Sequence, residues 1–190
     1  MILPITGYGD PVLRKVCEDI SPDDANLKTT IANMYETMYN ANGVGLAAPQ
    51  VGLPIRLFLV DTSPLGEDDD LENEEQNQLK NFKKTFINAQ MLKEEGEEWA
   101  FNEGCLSIPD VREDVFRHDT ITIEYFDENF VKKTEVYNGL IARVIQHEYD
   151  HIEGILFTDH LSMLKKKLVG KKLQNIMEGK ARPDYKMKYI

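Results

Sequence analysis

His147-Glu148-Tyr149-Asp150-His151 reads H-E-x-x-H, and it restricts what this chain can fold into more than any other stretch. On a helix, residues four apart stand one above the other, so both imidazoles face the same way and can grip one metal ion. Glu148 then lies close enough to take a proton from a water bound to that ion. The preceding residues, Leu140-Ile141-Ala142-Arg143-Val144-Ile145, are apolar apart from one Arg. The segment therefore predicts a buried helix carrying imidazoles and a carboxylate inward, and buried ionisable groups need partners. Two surface histidines that merely fall four apart would lack such a flank.

The rest of the chain predicts what surrounds that helix. Leu27, Ile31, Met34 and Met38 recur at helical spacing and form one buried face, with Ser21-Pro22-Asp23-Asp24 as its start and Asn42-Gly43 as its stop. Ile55 to Asp61, Thr85–Met91 and Glu97–Asn102 read as strands. Ile121, Ile123 and Tyr125 alternate with polar neighbours, and Asp127-Glu128-Asn129 turns into a further strand over Phe130–Tyr137. Asn138 caps the H-E-x-x-H helix, Gly154 ends it, and a last helix runs from about Ser162 to Met177, with Leu164, Leu168 and Ile176 packing one side onto the body. Strands without regular β-α alternation give an α+β class: mostly antiparallel sheets around a central H-E-x-x-H helix, with an N-terminal and a C-terminal helix. Seven acids and no base lie between Gly66 and Gln78, which predicts an exposed, mobile loop.

At 190 residues, 42% hydrophobic and 29% charged, the expectation is one domain over residues 1–190. No apolar run reaches the roughly 18 residues of a membrane span, and Met1-Ile2-Leu3-Pro4 lacks a signal-peptide pattern. Cys17 and Cys105 make no disulfide framework, so a reducing cytoplasm is expected. Residues 161–190 carry eight Lys and one Arg against Glu178 and Asp184, a net +7 that leaves −18 on the rest. Such a body repels DNA, whereas the basic tail is open to a surface of RNA phosphate.

A catalytic metal usually has three protein ligands and keeps one position for water. The third histidine of H-E-x-x-H-x-x-G-x-x-H is absent here, since Phe157 occupies its place. His118 sits in Arg117-His118-Asp119, a run that reads as solvent-facing. Cys105, in Glu103-Gly104-Cys105-Leu106-Ser107 just past a predicted strand, is the better candidate, while spacing leaves downstream acids such as Asp159 open. Cys17 reads as an inert buried thiol.

Three segments taken together resemble the motifs of peptide deformylase, in that family's order. They are Gly43-Val44-Gly45-Leu46-Ala47-Ala48-Pro49-Gln50, Glu103 to Ser107, and His147 to His151; Tyr8-Gly9-Asp10-Pro11-Val12-Leu13-Arg14 is similar as well. Val44, Ala89 and Asp110 depart from the commoner residues without touching a ligand. The resemblance implies hydrolysis of the N-formyl group from the initiator methionine of new polypeptides, releasing formate. It implies Cys105, His147 and His151 as ligands of one divalent ion, Fe²⁺ in the cell and Zn²⁺ or Ni²⁺ in purified protein. It implies Glu148 as general base, then acid, with the Gln50 amide and the Leu106 N–H stabilising the oxyanion. Val44, Gly45, Phe101, Gly104, Leu140 and Val144 correspond to the methionine site. Whether Arg143 touches substrate or only neighbouring acids stays open. The expected partners are nascent formyl-Met chains and, through Lys165, Lys166 and Lys172 on the last helix, the ribosome; the chain is expected to be a monomer with no membrane contact. An H-E-x-x-H zinc metallopeptidase is the alternative.

Overall fold

The computed structural model describes residues Met1–Ile190. In chain order its elements are β1 (Ile5–Thr6), α1 (Leu27–Asn40), β2 (Gly45–Ala47), β3 (Leu57–Asp61), α2 (Asn73–Lys80), β4 (Lys83–Cys105), β5 (Ile108–Phe126), β6 (Lys132–Asn138), α3 (Gly139–Ile152), α4 (Met163–Met177) and β7 (Met187–Lys188). Strands β2-β3-β4-β5-β6 form one antiparallel sheet in that order, and β1 pairs with β7 in parallel. The α+β class holds. No helix is long and apolar enough to cross a membrane.

The alternation of β3 explains why the sheet is covered on both faces. Leu57 and Leu59 pack with Ile31, Met34 and Met38 of α1, whereas Phe58 and Val60 pack with Ala142, Ile145 and Ile152 of α3. Successive side chains of a strand point to opposite faces, so a run of four apolar residues needs a helix on each side. Each such fully buried Leu, Ile or Phe contributes about 1.5–3 kcal/mol of burial. A third cluster, including Leu13, Ile108, Phe157, Val169 and Ile176, supports the far end of the β4–β5 hairpin.

Four expectations give way. Helix α1 begins at Leu27, because Ser21 and Asp24 form local turns: the Ser21 hydroxyl accepts from Asp23 N–H (3.3 Å) and the Asp24 carboxylate from Asn26 N–H (2.8 Å). The acidic segment is ordered and contains α2. Glu74 and Glu75 sit at the positive end of its dipole, and Leu79 is 1% exposed beneath it. Arg117 is buried, not solvent-facing, because Glu103 and Asp150 neutralise it. On α4, Leu164 and Leu168 are 68% and 70% exposed, while Val169 and Ile176 face the body. Lys165 pairs with Glu113 (3.1 Å), whereas Lys172 is exposed and bonds only the Asp110 carbonyl (2.8 Å), which leaves its charge uncompensated.

Candidate active site

Two elements distant in sequence meet at the site. Helix α3 carries His147, Glu148 and His151; the tip of the β4–β5 hairpin carries Cys105, with Leu106 and Ser107 forming the turn. The Cys105 sulfur lies 3.3 Å from His151 Nε2, and the ligand atoms of Cys105, His147 and His151 all fall within 4.8 Å of one another. Asp159 does not join them, since it pairs with Arg14. His118 lies against the Gly96 carbonyl and Glu98, and His160 Nε2 is 2.8 Å from Asp150.

Glu148 is 4% exposed, and its Oε2 has no hydrogen-bond partner. Leaving such atoms unpaired inside a protein is costly. A thiol, two imidazoles and an open carboxylate oxygen are instead the donor set that a divalent ion and its water require, so the residues fit a metal. Burial pushes the Glu148 carboxyl up to about 7 and holds His151 down to about 3, in its neutral, ligating form.

Gly45 explains how the first motif comes so close. A Cβ there would stand 2.7 Å from the Glu148 carboxyl carbon, so β2 can run past the carboxylate only because this residue has no side chain. Just beyond, the Gln50 side chain is pinned. Its Oε1 accepts from Ala47 N–H (2.8 Å), which turns Nε2 toward the Cys105 sulfur (3.4 Å) and the Ser107 hydroxyl (3.3 Å).

The family model for polypeptide deformylase matches residues 2–167. This chain belongs to the peptide deformylase family. A peptide deformylase from Flavobacterium psychrophilum is 76% identical over 190 residues, covering 100% of this chain and 98% of that protein. One from Karelsulcia muelleri is 47% identical over 87% of this chain and 81% of its own length. The crystal structure of a peptide deformylase from Legionella pneumophila superposes with a TM-score of 0.80 at 35% identity, covering 96% of this chain and 99% of that one. The activity is that of the family: a hydrolase that removes the N-formyl group from nascent polypeptides.

In this deformylase a cleft of about 360 Å³ opens onto the Cys105–His147–Glu148 cluster. Val44, Gly45, Phe101, Gly104, Leu140 and Val144 all line it, as do Gln50 and Leu106. His151, 1% exposed, sits behind Cys105 and does not line the cleft. Leu106 lies outside the strand ladder, and its N–H finds no partner within the protein.

Glu103 is the residue that sequence reasoning passed over. It is 4% exposed and accepts from His147 Nδ1 (2.9 Å), from Arg117 Nε and Nη2 (2.7 and 3.1 Å), and from Arg143 (3.0 Å). Burial alone would raise its carboxyl, but His147 and Arg117 outweigh that and hold it well below the ordinary range. The bond to Nδ1 leaves His147 Nε2 for a metal and fixes the ring's orientation. Arg143 is thereby placed: it is 2% exposed, bonded to Glu103 and the Val115 and Trp99 carbonyls, and stacked 4.4 Å from the Trp99 ring. It also lines the cleft, beside Glu103. Arg112 and Leu65 also reach the cleft. Their only sequence signal was proximity to the second motif and to the acidic segment.

Proposed function

We propose that Cys105, His147 and His151 hold one divalent ion, Fe²⁺ in the cell and Zn²⁺ or Ni²⁺ in purified material, and that Glu148 works beside it. The observation that carries this reading is the convergence of three ligand atoms within 4.8 Å next to an unpartnered, buried carboxylate oxygen. When bound, such an ion polarises a carbonyl and makes water a competent nucleophile at neutral pH. Glu148 takes the proton of the attacking water and returns it to the departing amine, so that water and formyl amide become formate and a free N-terminus. The negative charge that gathers on the formyl oxygen is met by Gln50 Nε2 and the Leu106 N–H, both preoriented before substrate arrives. Val44, Phe101, Leu140 and Val144 form the apolar wall for the methionine side chain, with Gly45 and Gly104 offering backbone edges to the peptide.

The deciding assay compares a formyl-Met peptide with its acetyl-Met counterpart and with an internally cleavable, N-blocked peptide. Formate should be released from the first, with no cut in the third. Cleavage of the internal bond would favour the metallopeptidase reading instead.

We also propose that the chain works as a cytoplasmic monomer and meets the ribosome through the outer face of α4. Lys165, Lys166 and Lys172 each hold a partner on the body (Glu113, the Asp159 carbonyl and the Asp110 carbonyl), which leaves Lys167 and Lys171, flanked by exposed Leu164 and Leu168, as the contact face. Binding to ribosomes should weaken with salt and be lost on Lys167/Lys171→Glu, while turnover of a free formyl-Met peptide stays the same. Equal binding by both proteins would remove α4 from this role.

A further inference from the structure

The family match ends at residue 167, but the chain continues to Ile190, and this continuation folds back onto the Cys105 hairpin. Beyond α4, residues 181, 183, 185, 187 and 189 are half-buried and their neighbours exposed, which is the period of an extended segment lying on a surface. The segment is fixed at its end by β7. Ile5 N–H donates to the Lys186 carbonyl (2.8 Å), and Gly7 N–H donates to that of Lys188 (2.8 Å). The Tyr189 hydroxyl donates to the Ala181 carbonyl (2.7 Å), closing the segment on itself.

Within that fixed stretch, the Tyr185 hydroxyl donates to the Leu106 carbonyl at 2.8 Å. The next carbonyl of the same turn, Ser107, accepts from Tyr8 N–H at 2.8 Å, just after β1. Both carbonyls of the two-residue turn are thus gripped by the two chain ends that pair as β1 and β7. On the cleft side, Gln50 Nε2 contacts the Ser107 hydroxyl. The N–H groups of Leu106 and Ser107 take no partner within the protein, and of the two residues only Leu106 lines the cleft.

We propose that Tyr185 is a positioning residue for deformylation: its hydroxyl, carried by the segment that β7 anchors, holds the Leu106–Ser107 turn so that the Leu106 N–H stays aimed at the oxyanion. The inference rests on the reading of Leu106 as an oxyanion donor. Tyr185 itself reacts with nothing. A donor of this kind helps only when it lies about 2.7–3.1 Å from where the oxyanion forms, so a small rotation of the turn weakens transition-state binding and leaves ground-state binding alone. Of the methionine wall, Val44, Leu140 and Val144 lie on other segments and Phe101 sits inside the paired part of β4, opposite Val115, so loosening the turn should lower kcat without raising KM.

The test uses the full-length, metal-loaded enzyme on a formyl-Met peptide. Tyr185→Phe should lower kcat roughly three- to tenfold, the range for one neutral hydrogen bond, with KM and metal content unchanged. Amide exchange across Leu106–Ile108 should be faster. Tyr189→Phe removes a comparable bond that lies within the tail and does not touch the turn; it should lower the thermal midpoint and keep kcat. A Tyr185→Phe enzyme with wild-type kcat, or one whose loss is matched by lost metal, overturns the proposal. Gln50→Ala separates the two possible failures, because losing one oxyanion donor should cost roughly 10²–10³ in kcat. If Gln50→Ala is impaired and Tyr185→Phe is not, the tail has no positioning role and the oxyanion reading stands. If neither is impaired, the oxyanion reading itself is wrong.

Discussion

Glu148→Gln should leave the bound metal in place while kcat falls by roughly 10²–10⁴, the usual worth of a positioned acid–base group. Gln is the informative replacement because it keeps the volume of the side chain in the narrow space beside Gly45, where the backbone of β2 presses against the carboxyl. It removes only the capacity to accept and return a proton. In the chain itself, burial pushes this carboxyl up to about 7, above the ordinary carboxylate range. Metal analysis and steady-state kinetics on one preparation give the answer. If more than a tenth of wild-type turnover survives in fully loaded Glu148→Gln, another group moves the proton.

Cys105→Ala should fail in a different way, losing the metal together with the activity. With the sulfur gone, two imidazoles remain, and three protein donors are the norm for a catalytic ion. Cys17→Ala is the matched control. Cys17 is also a free thiol, but it is buried against the end of α3, where its N–H donates to the Ile152 carbonyl, and it is not among the clustered donors. It should keep both metal and turnover. A Cys105→Ala protein that remains loaded would take Cys105 out of the ligand set.

The parts of this site that could be read in the sequence are those written locally. The i, i+4 spacing of His147 and His151 and the apolar flank before them determine a buried helix without reference to anything else. The same is true of Leu27, Ile31, Met34 and Met38, all of which are buried on α1. For the third donor, the chain made Cys105 the better candidate but left downstream acids open, because the cysteine meets the imidazoles from a hairpin distant in sequence, and the likeness of its motif decided between them. Arg117 was misread for a related reason. A charge in a polar run is normally solvated, and nothing near residue 117 in the chain announces Glu103 or Asp150 as its partners. Leu164 and Leu168 erred in the opposite direction: they look like an inward row, but α4 turns Val169 and Ile176 to the body instead. Tyr185 lies past the end of the family's motifs and carries no signal until the tail is seen lying on the hairpin.

The hairpin has a consequence for how the protein is assembled. Strands β4 and β5 are neighbours in sequence and can zip together on the microsecond scale of hairpin formation, before α3 has docked. Joining Cys105 to His147 closes a far larger loop, whose entropy has to be met by contacts that appear only when helix and sheet come together. An ion bound across that junction is a reversible cross-link between the local and the non-local halves of the fold. It favours the assembled chain over every looser one by RT ln(1 + [L]/Kd). Withdrawing it should uncouple them, so that the hairpin tip opens on its own before the sheet melts.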